Sequence, residues 1–113
     1  MVNITDKNIF MTKGDTVKLS LTIRDKKGEK YIPSFYDVCL LTIKKYTSQS
    51  SPSAQIKGTV DGENVIFEIM PEDTSNLACG EYVYDIQVKF DYNGDVNTVI
   101  PLSKFVLMQE VTK

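Results

Sequence analysis

The chain contains no histidine, so a Ser-His or Cys-His nucleophile has no general base to activate it. Its two cysteines, Cys39 and Cys79, are far apart in sequence with no neighbouring ligands of a zinc set, and no glycine-rich phosphate loop is present. No catalytic, cofactor-binding or metal-ligating residues are therefore expected, and the chain does not read as an enzyme. The carboxylates Glu72, Asp73, Glu81 and Asp85 gather in one stretch and could serve a calcium ion or an acid/base pair. Capping a short helical turn and solvating an exposed strand is the more ordinary use of such side chains. Tyr31, Phe35 and Tyr36, beside Pro33, could form an exposed interaction surface for a sugar or a partner protein, or could plug the end of a sheet. Lys26, Lys27, Lys30, Lys44 and Lys45 read as solubilising and edge-protecting.

The stretch that must position these groups runs from Pro71 to Phe90, PEDTSNLACGEYVYDIQVKF. Tyr82, Tyr84, Ile86, Val88 and Phe90 alternate with Val83, Asp85, Gln87 and Lys89, the period of a strand with one buried face. Leu77, Gly80 and Tyr82 have the order of a tyrosine corner, in which a tyrosine near the start of a strand bonds back to the backbone upstream. Pro71 ends the preceding strand, and Glu72 to Asn76 suits a single helical turn capped by Asp73 or Thr74.

Elsewhere the pattern is also that of strands. Val2 to Met11 is an edge-like segment broken near Asp6-Lys7-Asn8, and Thr16 to Arg24 alternates with Val17, Leu19, Leu21 and Ile23 on one face. Asp25-Lys26-Lys27-Gly28 reads as a turn, Tyr31 to Tyr36 as irregular because of Pro33, and Val38 to Ile43 as a central strand apolar on both faces. The Ser-rich TSQSSPS segment, Thr47 to Ser53, reads as a mobile rim loop. Ala54 to Val60 and Glu63 to Met70 flank the Asp61-Gly62 turn, and Asn93-Gly94 marks a second hairpin. Its return arm, Val96 to Ile100, meets a bulge or break at Pro101 and resumes from Ser103 to Val111. The sum is an all-β sandwich of about seven to nine antiparallel strands in one domain spanning residues 1–113. Its core is expected to include Val17, Leu19, Leu21, Leu41, Phe67, Ile69, Tyr84 and Ile86.

Thirteen basic against fifteen acidic side chains leave a formal charge of −2, with no basic stripe for nucleic acid. No apolar run approaches the roughly 20 residues needed to span a bilayer. The opening MVNITDKNIF lacks the basic start and apolar run of a signal peptide, so export by one is not expected. Without export the default for Cys39 and Cys79 is two reduced thiols, although a bridge between sheets remains open.

Three stretches carry a resemblance: GDTVKLSLTIRDKKGE (Gly14 to Glu29), ENVIFEIMPEDTSNLACGEYVYDIQVKFD (Glu63 to Asp91) and DVNTVIPLSKFVLMQEVTK (Asp95 to Lys113). Within them, Gly14-Asp15-Thr16, Pro71 to Thr74, Gly80 to Asp85 and Ser103-Lys104-Phe105 are the motif positions. These resemble the immunoglobulin-like N-terminal domain of phage baseplate upper proteins and small phage or prophage structural proteins like it. The resemblance implies an immunoglobulin-like sandwich and a non-enzymatic virion component of the tail, baseplate or head. It implies other virion proteins as partners, copies of the chain itself as further ones, and a location in the virion or in the host cytoplasm before assembly. YIPSFYD, Tyr31 to Asp37, is more aromatic than the corresponding family segment, and no coiled coil or receptor-binding module follows within the chain. A carbohydrate- or surface-binding module using Tyr31, Phe35 and Tyr36 is the alternative expectation, with glycan as its ligand.

Overall fold

The computed structural model describes residues 2–5, 7–24 and 28–109. Among them the chain forms nine strands and a single helical turn. The strands are β1 (Val2–Thr5), β2 (Asn8–Thr12), β3 (Val17–Thr22), β4 (Val38–Lys44), β5 (Ala54–Lys57), β6 (Thr59–Asp61), β7 (Asn64–Ile69), β8 (Gly80–Lys89) and β9 (Val96–Met108), with α1 (Pro71–Thr74) before β8. One sheet has the order β1-β2-β9-β8-β4-β5 and the other β3-β7-β6. Each of the strands β2, β3, β4, β7 and β8 turns alternate residues inward, so the two sheets bury one apolar cluster between them. Phe67, Phe105, Leu41, Ile43, Val65, Ile69 and Val88 are sealed from solvent there. Of the residues expected inside, only Leu21 is left half-buried.

Three expectations are revised. The strands are not all antiparallel: β2 runs parallel to β9, pairing Ile9 with Phe105 and Met11 with Leu107, while β1 folds back on β2 as a hairpin. A two-residue break in the Val2–Met11 segment is thus a strand reversal, and Lys7 sits there at φ 68. The Asp6 position of that break, the Asp25 to Lys27 part of the first turn, Lys26 and Lys27 themselves, and the residues after Gln109 lie outside the described residues.

Second, Ala54 to Val60 is not one arm. β5 pairs with β4 in the larger sheet and β6 pairs with β7 in the smaller one, and the chain changes sheets at Gly58. The change requires glycine there, because an added Cβ would lie 2.5 Å from Val65 Cγ1 and 2.9 Å from Phe67 Cε1. Third, β4 is central but buries only Cys39, Leu41 and Ile43; Val38 and Leu40 face outward, where no third layer covers them. Apolar residues on both faces therefore did not signal burial on both. The Ser-rich loop between β4 and β5 carries bonds of its own: the Gln49 side-chain carbonyl accepts from the Lys45 amide at 2.8 Å, and its amide donates to Ser53 Oγ at 3.2 Å.

At Pro101 the strand is bulged, not broken. β9 continues unbroken to Met108 while its register against β8 slips between Tyr84 and Gln87. Two extra residues are absorbed there, which turns Leu102 outward to solvent.

Candidate functional site

The organising turn holds its groups by local hydrogen bonds. Asp73 accepts from the Met70 amide at 2.7 Å and so satisfies one donor at the start of α1. Thr74, fully buried, accepts from the Gly14 amide at 3.2 Å and ties the turn to the loop before β3. Leu77 packs against the core with its amide bonded to the Thr74 carbonyl. Gly80 opens β8 at φ 145, a conformation that a side chain would strain. The Tyr82 hydroxyl then donates to the Ala78 carbonyl at 2.6 Å, and Lys45 lies over its ring at 4.6 Å from the centroid. Burial raises the Tyr82 pKa, so the phenol stays protonated and able to donate. Tyr82→Phe is expected to lower stability by about 1 kcal/mol, the worth of one such bond. A chemical-denaturation midpoint equal to the parent's would remove Tyr82 from this structural role.

The four carboxylates do not converge. Asp73 is used at the helical turn, and Glu81 lies 3.6 Å from Lys104 on the exposed face of the sheet. Among the described residues no group of three or more acidic, cysteine or histidine side chains is placed to hold a metal ion. Cys39 is buried and Cys79 exposed, and the two are unbridged. Burial, together with the nearby Asp37 charge, pushes the Cys39 thiol up to about 11, which leaves it a small apolar side chain at neutral pH. Lys30 pairs with Glu63 at 3.0 Å on the surface, and Lys44 ends β4 with Lys45 just beyond it.

The aromatic segment is divided by the fold. Tyr31 turns inward: its ring meets Phe90 edge-on at 4.8 Å, and its hydroxyl donates to Asp37 Oδ2 at 2.7 Å. Phe35 and Tyr36 point to solvent at 87% and 76% exposure, with Ile32 beside them. Sequence reasoning passed over two further participants. Tyr92, in the β8–β9 hairpin, is exposed and stacks at 5.7 Å on Phe90. Asp37 is buried, and its carboxylate accepts from the Tyr31 hydroxyl, the Ser34 amide at 2.9 Å and, through Oδ1, the Asp91 amide at 2.9 Å. The last bond joins the 31–37 loop to the β8–β9 hairpin, so Tyr36 and Tyr92 flank one clasp. Burial opposes ionisation of Asp37, but the Asp91, Ser34 and Tyr31 donors outweigh it and hold the carboxyl below its usual range. An aspartate just before an apolar strand, preceded three residues earlier by serine, was the available signal.

This end of the molecule therefore presents apolar rings on a fixed support. The neighbouring polar groups are mostly engaged with one another: Ser34 Oγ accepts from the Tyr36 amide, and Asn93 and Asp95 bond each other's side chain and backbone. A depression of about 400 Å3 lies on the outer face of the larger sheet between Thr42, Gln55, Asp85, Gln87 and Leu102. It is open and lined mainly by polar side chains without a convergent catalytic set. No helix among the described residues is long and apolar enough to cross a membrane. No protein-family model matches the chain, and no curated protein matches it at a significant level.

Proposed function

We propose that the chain is an immunoglobulin-like, non-enzymatic structural component of a phage or prophage particle that acts by docking onto other particle proteins. The finer fold assignment is supported by topology. β3, β7 and β6 correspond to the B, E and D strands of such a domain, and β4, β8, β9 and β5 to C, F, G and C′. The tyrosine on β8 then occupies the corner position of the F strand. The particle context comes from the motifs at Gly14 to Thr16, Pro71 to Thr74, Gly80 to Asp85 and Ser103 to Phe105.

The observation that carries the docking reading is the exposed group of Ile32, Phe35, Tyr36 and Tyr92, set on loops that Asp37 clasps together. Large rings held in place before binding lose little freedom on contact, which is why such residues dominate protein interfaces. A glycan would also stack on them. It would need free donors and acceptors at the rim, and the polar groups beside these rings are largely satisfied within the loops.

The test is mass spectrometry of purified particles from cells that carry the gene. The chain is expected in intact particles at a fixed multiple of a known structural protein. Its absence from particles, with the protein free in the lysate, would overturn the particle reading. Retention of the free protein on a glycan array, lost in a Phe35→Ala/Tyr36→Ala variant, would install the carbohydrate reading instead.

A further inference from the structure

The exposed rings continue onto the sheet. Val38, Lys89 and Val96 stand side by side on its outer face, since Val38 pairs with Lys89 on β8 and Lys89 with Val96 on β9. Cross-strand neighbours of this kind have Cβ atoms about 5 Å apart. Val38 and Val96 are exposed, Tyr36 lies two residues before the first, and Tyr92 lies in the hairpin leading to the second. The result is an apolar crescent of Tyr36, Val38 and Val96 beside Lys89. Among the described residues the Lys89 ammonium has no ion-pair or hydrogen-bond partner, unlike Lys18, Lys30 and Lys104, which pair with Glu68, Glu63 and Glu81.

We propose that this crescent is the docking surface and that its occupant is a different protein presenting an aspartate or glutamate, framed by apolar side chains, against Lys89. This rests on the docking reading above and adds the chemistry of the partner. A cation set between Val38 and Val96 loses water when covered, and a carboxylate is the group that compensates that loss. The same charge argues against a second copy of this chain as the occupant. A two-fold contact centred on the crescent would bring Lys89 against its own counterpart, and like charges meeting in an apolar contact are costly.

Zero-length carbodiimide coupling tests this, because it joins a lysine amine only to a carboxylate in contact with it. The tagged chain is coupled in lysate of the producing cells and in purified particles, and the cross-linked peptides are sequenced. Lys89 is expected to be joined to an aspartate or glutamate of a different protein. Lys89→Glu should lower recovery of that same protein about tenfold or more, as should Phe35→Ala with Tyr36→Ala, with melting temperatures unchanged. Lys104→Glu, on the same face but away from the crescent, should leave recovery as in the parent.

Coupling of Lys89 only to copies of this chain overturns the proposal, as does coupling at other lysines but not at Lys89. Full recovery of the partner by Lys89→Glu overturns it too. A Lys89 link to a protein that is not a particle component sustains the crescent and removes the particle reading. Particles that contain the chain but give no Lys89 link do the reverse.

Discussion

Asp37→Ala is expected to destabilise the fold by about 3 kcal/mol, read as a lower denaturant midpoint with an unchanged slope. Three donors converge on this buried carboxylate: the Tyr31 hydroxyl and the amides of Ser34 and Asp91. Alanine leaves all three without their acceptor, and a buried donor left unpaired costs about 1–3 kcal/mol, offset where water can enter. Asparagine keeps the volume but turns an amide toward a donor, so Asp37→Asn should fall between parent and alanine. Acid should reproduce part of the effect. The folded-state pKa of Asp37 lies below its unfolded value, so its ionised form stabilises the fold at neutral pH. That contribution is complete above about pH 5 and is lost as pH falls through 4 and then through the folded value. The Asp37→Asn variant should therefore lose less stability than the parent over this window; equal losses would show that the clasp is not what titrates.

Gly58→Ala should cost a similar amount, about 3 kcal/mol, at a position with no polar side chain at all. The new methyl would lie 2.5 Å from Val65 Cγ1 and 2.9–3.0 Å from the Phe67 ring, two side chains with no exposure. The backbone cannot move away cheaply either, because the Gly58 amide is bonded at 2.8 Å to the Cys39 carbonyl of β4, at the end of the β4–β5 ladder. The nearest obstacle can be removed specifically. In a Val65→Ala background only the Phe67 ring still meets the added methyl, and Gly58→Ala should cost less than in the parent by about 1 kcal/mol or more, a coupling measurable by a double-mutant cycle. Equal costs in both backgrounds would show that the Val65 collision is not the source of the strain.

What could be read from the sequence was whatever depends on near neighbours. The alternation of Tyr82 to Val88, the Pro71 turn and the Asp61-Gly62 and Asn93-Gly94 hairpins are local, and the strands lie where those patterns put them. Gly58 shows the limit: within Ala54 to Val60 nothing in the alternation says that the strand changes sheets, because the reason is the ring of Phe67, which arrives from another strand. Asp37 is the second case. It reads as a residue before a strand, and only the fold brings Asp91, far along the chain, to its second oxygen. The aromatic segment was legible as unusual, but not which of its rings faces in. Tyr31 turned inward because Phe90 and Asp37 were there to receive its ring and hydroxyl, leaving Phe35 and Tyr36 outside.

The parallel pairing of β2 with β9 also sets an order of events for a newly made chain. Ile9 and Met11 leave the ribosome long before the strand that covers their backbone, Phe105 to Met108. The interval is almost the whole of the described chain, so closing that pair carries one of the largest loop entropies the fold has to offer. β3 with β7, and β4 with β8, can form while synthesis continues; the edge built from β1 and β2 must wait for translation to pass Met108. Until then the short apolar segment around Ile9 and Met11 stays uncovered, where a chaperone or another nascent chain can reach it. Destabilising changes in β2 should accordingly speed unfolding and leave the folding rate nearly unaltered, the kinetic mark of an element that docks last.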